Sequence, residues 1–177
     1  IGPKSHLEKE GTPSMGGIII ILSIILPTIL WARLDNKFIL LMLFSTLWMG
    51  IIGFIDDYMK IKLNKSKGLI ARYKLLGQIS LGLIISYFLF QIDVNNYFLV
   101  NADNSINGLG ISNISVPFLA NGVFNIGILY IPLIILTITA TSNAVNLTDG
   151  LDGLATGLVA ISALVFAAIA YASGRID

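Results

Sequence analysis

Two adjacent carboxylates, Asp56 and Asp57, directly follow an apolar run in the segment GFIDDYMK. A carboxylate beside hydrocarbon is costly unless it is paired, hydrated or bound to a cation, so the pair marks a functional site. Repulsion between the two groups would favour protonation of one of them, which predicts an acid/base pair or a cation site. A simpler interpretation is a surface ion pair between Asp56 and Lys60, four residues further on.

A second polar cluster consists of Asn143, Asn146, Asp149 and Asp152, which follow one another at intervals of three residues. Such positions drift by about 60° per step around an α-helix, so the first three share a broad face. The glycines of the DGLDG segment predict a break in the helix there. Amide and carboxylate groups together suit a sugar or a nucleobase edge. Asp149 or Asp152 can also simply cap the helix that follows.

The opening segment GPKSHLEKEGTPSMGG combines Gly, Pro, Thr and Ser with lysines just before a predicted helix that begins near Met15. The backbone N–H groups of such a loop, a helix amino end and a lysine form an anion site, most naturally for a phosphate. The same composition also occurs in ordinary loops and caps. The three clusters together predict a membrane enzyme that acts on a phosphorylated, soluble substrate.

Apolar runs of membrane-spanning length must position these clusters. Mean hydropathy is +0.85 and only 12% of residues are charged, which lies outside the range of ordinary soluble domains. About 20 apolar residues span the hydrocarbon core of a bilayer. We therefore predict an all-α polytopic membrane protein with five transmembrane helices, at residues 11–32, 38–55, 75–92, about 123–142, and 153–174.

The helix predicted over residues 38–55 ends at Asp56 and Asp57. The carboxyl end of a helix carries partial negative charge, so both acids are placed against the helix dipole as well as against each other. One lysine, Lys60, cannot neutralise two carboxylates. These considerations favour a functional site over a surface ion pair.

Basic residues are unevenly distributed among the loops. Six lie in the loop of residues 58–74 and two in the opening segment, whereas the connection of residues 93–125 has none. The positive-inside rule therefore places the opening segment, the basic loop and the DGLDG segment in the cytoplasm, on the same face. The 93–125 connection has β-branched residues with Asn and Gly at turn positions, which predicts a short external β-hairpin.

Composition excludes several classes of function. The chain has no cysteine, so thiolate metal sites, disulfides and cysteine nucleophiles are excluded. Its net charge of +1 gives no indication of a nucleic-acid partner. We expect residues 1–177 to form a single integral membrane domain. Because the chain opens with Ile1 in a polar loop, we expect it to be an internal piece of a longer protein.

The segments GPKSHLEKEGTPSMGG, GFIDDYMK and NAVNLTDGLDGLA resemble, in this order, motifs of the polyprenyl-phosphate N-acetylhexosamine 1-phosphate transferase superfamily, and within it those of the bacterial phospho-N-acetylmuramoyl-pentapeptide transferases. The resemblance covers almost the whole chain, apart from the external hairpin region. It implies transfer of phospho-MurNAc-pentapeptide from UDP-MurNAc-pentapeptide to undecaprenyl phosphate, which yields lipid I and UMP in peptidoglycan synthesis and requires Mg²⁺.

The resemblance also implies a setting for this reaction. Family members are about twice as long, with about ten helices, and lie in the bacterial inner membrane with the active site on the cytoplasmic face. A homodimer is plausible from the resemblance alone. The principal Mg²⁺ ligand and a His-rich loop are expected outside this chain, so the metal ligands within it stay unknown.

Individual residues acquire roles from the resemblance. Asp56 matches the acid proposed to deprotonate the lipid phosphate, and Asp57 matches its essential neighbour. Asn146 and Asp149 match residues near the ribose and the phosphates. Lys9 and Ser14 match a pair on the nucleotide-sugar side, where many members have Thr in place of Ser14. With the residues singled out above, the candidate set is catalytic Asp56, Asp57 and Asp149, and substrate-binding Lys9, Ser14, Lys60, Asn143, Asn146, Gly150, Leu151 and Asp152; Gly150 to Asp152 match the uracil-binding turn.

Two alternatives stay open. A sister transferase that moves GlcNAc 1-phosphate in teichoic acid or O-antigen synthesis shares the Asp pair, but we expect it to depart from the TPSMGG and NLTDGLDG segments. An ion-coupled transporter would use the same carboxylates as a cation relay. Transporters, however, place their sites near the bilayer midplane, whereas these carboxylates are predicted at one face.

Overall fold

A computed structural model describes residues 16–62, 68–92, 110–115, 123–149 and 153–172. Within these ranges the chain contains five α-helices and one two-stranded antiparallel sheet, which confirms the predicted all-α class with a short hairpin. In chain order, the elements are α1 (Gly17–Trp31), α2 (Lys37–Lys62), α3 (Ala71–Phe90), β1 (Asn113–Ser115), β2 (Val123–Asn125), α4 (Tyr130–Thr148), which directly follows the 3₁₀ turn Gly127–Leu129, and α5 (Leu154–Ala172).

Four of the described helices are long and apolar enough to cross a membrane. They are α2, α3, α5 and the segment Gly127–Thr148, which contains α4. Helix α1 is more apolar than these four helices. It has 15 residues, or about 22 Å of helix, which is less than the roughly 30 Å hydrocarbon core. Four of the five predicted spans are therefore confirmed. The first is a shorter apolar helix within the described residues, since the predicted span 11–32 begins outside them.

Most large apolar side chains on the described helices face outward, Ile19 and Phe166 among them. Among the described residues, the buried apolar side chains are Ile25, Leu81 and Ile92. An exposed apolar surface of this extent is typical of a protein that contacts lipid. The chain is a multi-pass membrane protein, and its apolar side chains are placed for contact with lipid.

Helix α2 continues beyond the apolar run at which the sequence predicted its end. It extends over 26 residues, Lys37–Lys62, so Asp56 and Asp57 lie inside the helix, more than one turn before its last residue. The prediction that the helix ends at the two carboxylates is wrong, and with it the argument from the helix dipole. The final turn is favoured by Lys60, which pairs with Asp56 one turn earlier and complements the negative end of the helix.

Helices α2 and α3 pack directly against each other, and α3 touches the beginning of α4. The indole Nε1–H of Trp48 on α2 donates to the carbonyl of Gly77 on α3 at 2.9 Å. A β-carbon at Gly82 on α3 would lie 2.8 Å from Cγ1 and 3.0 Å from Cα of Ile135 on α4. Small residues at such crossings allow membrane helices to approach closely.

The chain forms two compact units, residues 1–135 and residues 136–177. The first unit contains α1, α2, α3 and the hairpin, and the second contains α5. Helix α4 begins in the first unit and ends in the second. The single membrane domain predicted for residues 1–177 stays a prediction.

The predicted hairpin is present as strands β1 and β2. Ile114 pairs with Phe124 in antiparallel register. The side chain of Asn125 closes the base of the hairpin, since its Oδ1 accepts from the Ser112 hydroxyl at 2.9 Å and from the Gly127 backbone N–H at 2.8 Å. Residues 116–122, which connect the strands, lie outside the described residues.

The α3–α4 crossing predicts the effect of one substitution. We expect Gly82→Ala to lower the stability of the protein in detergent by about 1–3 kcal/mol, because the added methyl group must displace Ile135. Gly157→Ala is the control, since a β-carbon on this α5 residue meets nothing within 4 Å. Thermal unfolding monitored by circular dichroism provides the measurement, and equal melting temperatures for the two variants would contradict a close crossing at Gly82.

Candidate functional site

The carboxylate of Asp56 is buried on one side of α2, with only 6% of the residue exposed. Its Oδ2 accepts from the Nζ of Lys60 at 2.6 Å and from the Nζ of Lys74 at 2.9 Å. Its Oδ1 accepts from the backbone N–H of Leu69 at 2.7 Å. Each carboxylate oxygen therefore has a donor within 3 Å. The arrangement provides the paired environment that a buried carboxylate requires.

The connection between α2 and α3 encloses this carboxylate. Gly68 is buried and has a φ of +59°, in the left-handed region that favours glycine. The chain then passes through Leu69 and enters α3 at Ala71. Lys74, in the first turn of α3, returns its ammonium group to Asp56. Three separate parts of the backbone thus converge on a single side chain.

Asp57 differs from its neighbour in both exposure and partners. Its side chain is 48% exposed, and its Oδ1 lies 3.4 Å from the Nζ of Lys60. It also lines a groove of about 140 Å³ between α1 and α2, whose other lining residues are Gly17, Ile18, Ile21, Gly50, Gly53 and Phe54. Asp57 is therefore the accessible carboxylate of the pair, and Asp56 is the buried one.

The charges around the pair are balanced. Lys60 contacts both carboxylates, and Lys74 contacts Asp56. The ion pair between Asp56 and Lys60, which was the simpler interpretation of the sequence, is present, but Asp56 is buried and not at the surface. The second ammonium group, that of Lys74, supplies the neutralisation that Lys60 alone cannot. Repulsion between the two acids, expected from their adjacency, is therefore not the dominant interaction of this site.

Sequence reasoning missed three participants, namely Gly68, Leu69 and Lys74. In the sequence, Lys74 is one of six basic residues in a loop predicted to be cytoplasmic, and it lies 18 positions after Asp56. No local spacing rule connects residues so far apart. A signal was nevertheless present, because a lysine in the first turn of a helix is placed against the positive end of the dipole and needs a nearby anion.

The described residues do not by themselves form a complete Mg²⁺ site. No group of three or more His, Cys, Asp or Glu side chains within the described ranges could hold a metal ion. Both oxygens of Asp56 are engaged, whereas Asp57 has one long contact and is half exposed. Mg²⁺ commonly takes one or two carboxylates and fills its remaining positions with water and substrate phosphates. Asp57 fits the role of one such ligand.

The second predicted cluster belongs to the second compact unit and is described separately. Asn143 and Asn146 lie on α4, and Asp149 directly follows its last residue. All three are exposed. The Nδ2 of Asn143 donates to the carbonyl of Thr139 at 2.8 Å, and the backbone N–H of Asp149 donates to that of Val145 at 3.1 Å. Asp149, rather than the Asp56 pair, is the carboxylate at the negative end of a helix.

The break predicted by the glycines of the DGLDG segment is present. Helix α4 ends at Thr148 and α5 begins at Leu154, with Gly153 between them at a φ of +79°. The predicted substrate-binding residues Gly150, Leu151 and Asp152 come between these helices in the sequence and lie outside the described residues. Lys9 and Ser14 also lie outside them. The roles assigned to these five residues stay predictions.

Sequence comparison identifies the class to which this membrane protein belongs. Residues 39–177 match the profile of glycosyl transferase family 4, and residues 9–21 match signature 1 of phospho-N-acetylmuramoyl-pentapeptide-transferase. The chain belongs to glycosyl transferase family 4. The signature segment includes the predicted substrate-binding residues Lys9 and Ser14.

Individual relatives are similar over nearly the whole chain. Proteins named phospho-N-acetylmuramoyl-pentapeptide-transferase are 44% identical in Chlorobaculum parvum over 98% of this chain, 44% in Thermodesulfovibrio yellowstonii over 98%, and 46% in Desulforapulum autotrophicum over 99%. The matched regions make up 44%, 45% and 45% of these relatives. The chain thus spans less than half the length of the curated relatives it matches.

The different environments of the two carboxylates predict different effects of the same substitution. We expect Asp56→Asn to lower stability by about 1–3 kcal/mol, because an amide replaces a buried acceptor that has two ammonium partners. Asp57→Asn should leave stability close to that of the unmodified protein, since Asp57 is half exposed. Thermal unfolding in detergent compares the two, and a larger loss for Asp57→Asn would contradict the described geometry.

Proposed function

We propose that this chain is part of a phospho-N-acetylmuramoyl-pentapeptide transferase, which transfers phospho-MurNAc-pentapeptide from UDP-MurNAc-pentapeptide to undecaprenyl phosphate. The observation that carries the proposal is the similarity of 98–99% of the chain to relatives of that name. The buried carboxylate with its two lysines supports it, because both substrates are phosphate anions that need cationic partners.

The reaction has a simple atom balance. An oxygen of the lipid phosphate attacks the sugar-bearing phosphorus of the nucleotide sugar, and the bond between that phosphorus and the bridging oxygen breaks. The products are lipid I and UMP, with the electron pair of the broken bond on the UMP phosphate. Such a transfer depends on alignment and charge stabilisation more than on covalent help from the protein.

Of the two lysines that contact Asp56, Lys60 is the better placed to meet an incoming phosphate. Its side chain is 43% exposed, compared with 30% for Lys74, and it contacts both carboxylates. If Lys60 moves to a phosphate oxygen, Lys74 still neutralises Asp56. The exchange frees one side of Oδ2, where Asp56 then accepts a proton from the lipid phosphate. A phosphate monoester has a second pKa near 6, so this step completes an ionisation that is already far advanced at neutral pH.

Asp57 is the carboxylate of the pair that would hold a metal ion, because it is the accessible one. Asp57 would contribute an oxygen ligand to Mg²⁺, as its exposure allows. Mg²⁺ bound to the substrate phosphates would neutralise charge on the transferred phosphoryl group. Its remaining protein ligands are expected outside this chain.

The nucleotide side is proposed for the residues around the α4–α5 break and the opening segment. Asn143 and Asn146 supply amide groups and Asp149 a carboxylate, which suits the ribose and the phosphates. The uracil is proposed to bind at Gly150, Leu151 and Asp152. Lys9 and Ser14 would approach the nucleotide sugar from the segment that matches the family signature.

The proposed location is the bacterial inner membrane, with the site on its cytoplasmic face. The basic residues near Asp56 support this orientation through the positive-inside rule. The partners are then UDP-MurNAc-pentapeptide, undecaprenyl phosphate and membrane lipid, with no nucleic acid. A homodimer is part of the proposal only through resemblance to the family.

Release of UMP by the full-length protein in detergent tests the proposal. The protein is incubated with undecaprenyl phosphate and Mg²⁺ and is offered UDP-MurNAc-pentapeptide or UDP-GlcNAc in separate reactions. We expect UMP from the first substrate only. UMP from UDP-GlcNAc alone would assign the protein to the sister transferases, and a folded protein that releases no UMP from either would reopen the transporter alternative.

Variants of the same protein test the proposed roles. We expect Asp56→Asn and Asp149→Asn each to abolish turnover while the protein remains folded, because each removes a charge from the reacting groups. Lys62→Ala is the control, since this exposed lysine in the last turn of α2 makes no ion pair with another described residue. UMP release and size-exclusion chromatography are measured side by side. Full activity in either Asp variant would remove that residue from the catalytic set.

A further inference from the structure

We infer that the turn formed by Gly68 and Leu69 is a positioning element for the Asp56 carboxylate, and that no residue with a side chain can replace Gly68 there without moving that carboxylate. The inference deepens the proposed function, because it is the catalytic role proposed for Asp56 that makes the orientation of its oxygens important. The turn lies outside all three polar clusters that the sequence singles out.

The first support is the direction of the hydrogen bonds at Asp56. The backbone N–H of Leu69 donates to Oδ1 at 2.7 Å. A carboxylate is planar, so the positions of Cβ, Cγ and Oδ1 together fix the position of Oδ2. The same Oδ2 accepts from Lys60 and Lys74. The Leu69 N–H therefore holds the carboxylate in the orientation in which its other oxygen faces the two ammonium groups.

The second support is the space around Gly68. A β-carbon at this position would collide with Oδ1 of Asp56 and would lie 2.6 Å from Cε and 3.1 Å from Cγ of Lys60. A side chain would thus push away the carboxylate and the lysine that is proposed to meet the substrate phosphate. Asp56 and Lys60, which the proposed mechanism uses, are thus the residues that exclude a side chain at position 68.

The backbone conformation of Gly68 can be separated from this steric requirement. Gly68 has a φ of +59°, and Gly127 has a closely similar φ of +52°. A β-carbon at Gly127 would have Oδ1 of Asn125 as its nearest neighbour, at 3.9 Å. Replacing either glycine by alanine imposes comparable backbone strain, but only the replacement at Gly68 displaces Asp56. Gly127→Ala is therefore the matched control.

Steady-state kinetics of the full-length protein test the inference. UMP release is measured for Gly68→Ala, Gly127→Ala and the unmodified protein, each titrated with UDP-MurNAc-pentapeptide. We expect Gly68→Ala to lower kcat roughly tenfold to a hundredfold, as misplaced reacting groups do, with the KM for the nucleotide sugar nearly unchanged. Gly127→Ala should retain the kcat of the unmodified protein. An unchanged kcat for Gly68→Ala, or an equal loss in both variants, would overturn the inference.

A second experiment does not depend on turnover and so separates this inference from the proposed function. Melting temperatures are measured in detergent for Gly68→Ala, Asp56→Ala and the double variant. We expect Gly68→Ala to lower the melting temperature less in the Asp56→Ala background, because the carboxylate that the added methyl group meets is then absent. Equal losses in the two backgrounds would overturn the inference. If Gly68→Ala alone fails to fold, recovery of folded protein in the double variant is the expected result, and its failure to fold would overturn the inference as well.

Discussion

The buried carboxylate of Asp56 is the interaction on which the first compact unit depends. A charged group in a largely apolar protein is stable only when donors surround it, and here the donors come from α2 itself, from the turn before α3 and from the first turn of α3. These contacts hold the beginning of α3 against the end of α2. One of the residues that satisfy the buried charge, Lys60, also presents a partly exposed ammonium group beside Asp57.

The relation between the two carboxylates follows from this requirement. Adjacent residues on a helix point about 100° apart, so one of two neighbours can be buried against α3 while the other remains accessible. Asp56 takes the first position and Asp57 the second. Lys60 lies between them and contacts both. The two acids look equivalent in the sequence, but the helix geometry buries Asp56 and leaves Asp57 accessible.

The sequence predicted the features that depend on local composition and spacing, and it failed where two helices must pack. Apolar run length located the spans of α2, α3, α4 and α5, and turn residues located the hairpin, since both patterns act over neighbouring residues. The i,i+4 spacing of Asp56 and Lys60 likewise indicated their ion pair as an alternative, although not the burial of Asp56. The prediction of where α2 ends was wrong, because the last turn of the helix is charged and continues past the apolar run. Lys74 and Gly68 were missed because their relation to Asp56 exists only once α3 has packed against α2.

The length of α2 has a consequence for depth in the bilayer. Asp56 follows Lys37 by 19 positions, which corresponds to about 29 Å of helix, close to the roughly 30 Å thickness of the hydrocarbon core. With Lys37 at one boundary of that core, the carboxylate pair lies at the other, and Lys60 stands about 6 Å further out. That is the level of the lipid headgroups. A phosphate carried on a lipid would meet the lysine there without leaving the headgroup layer. The length of α2 therefore sets the depth of the site in the bilayer.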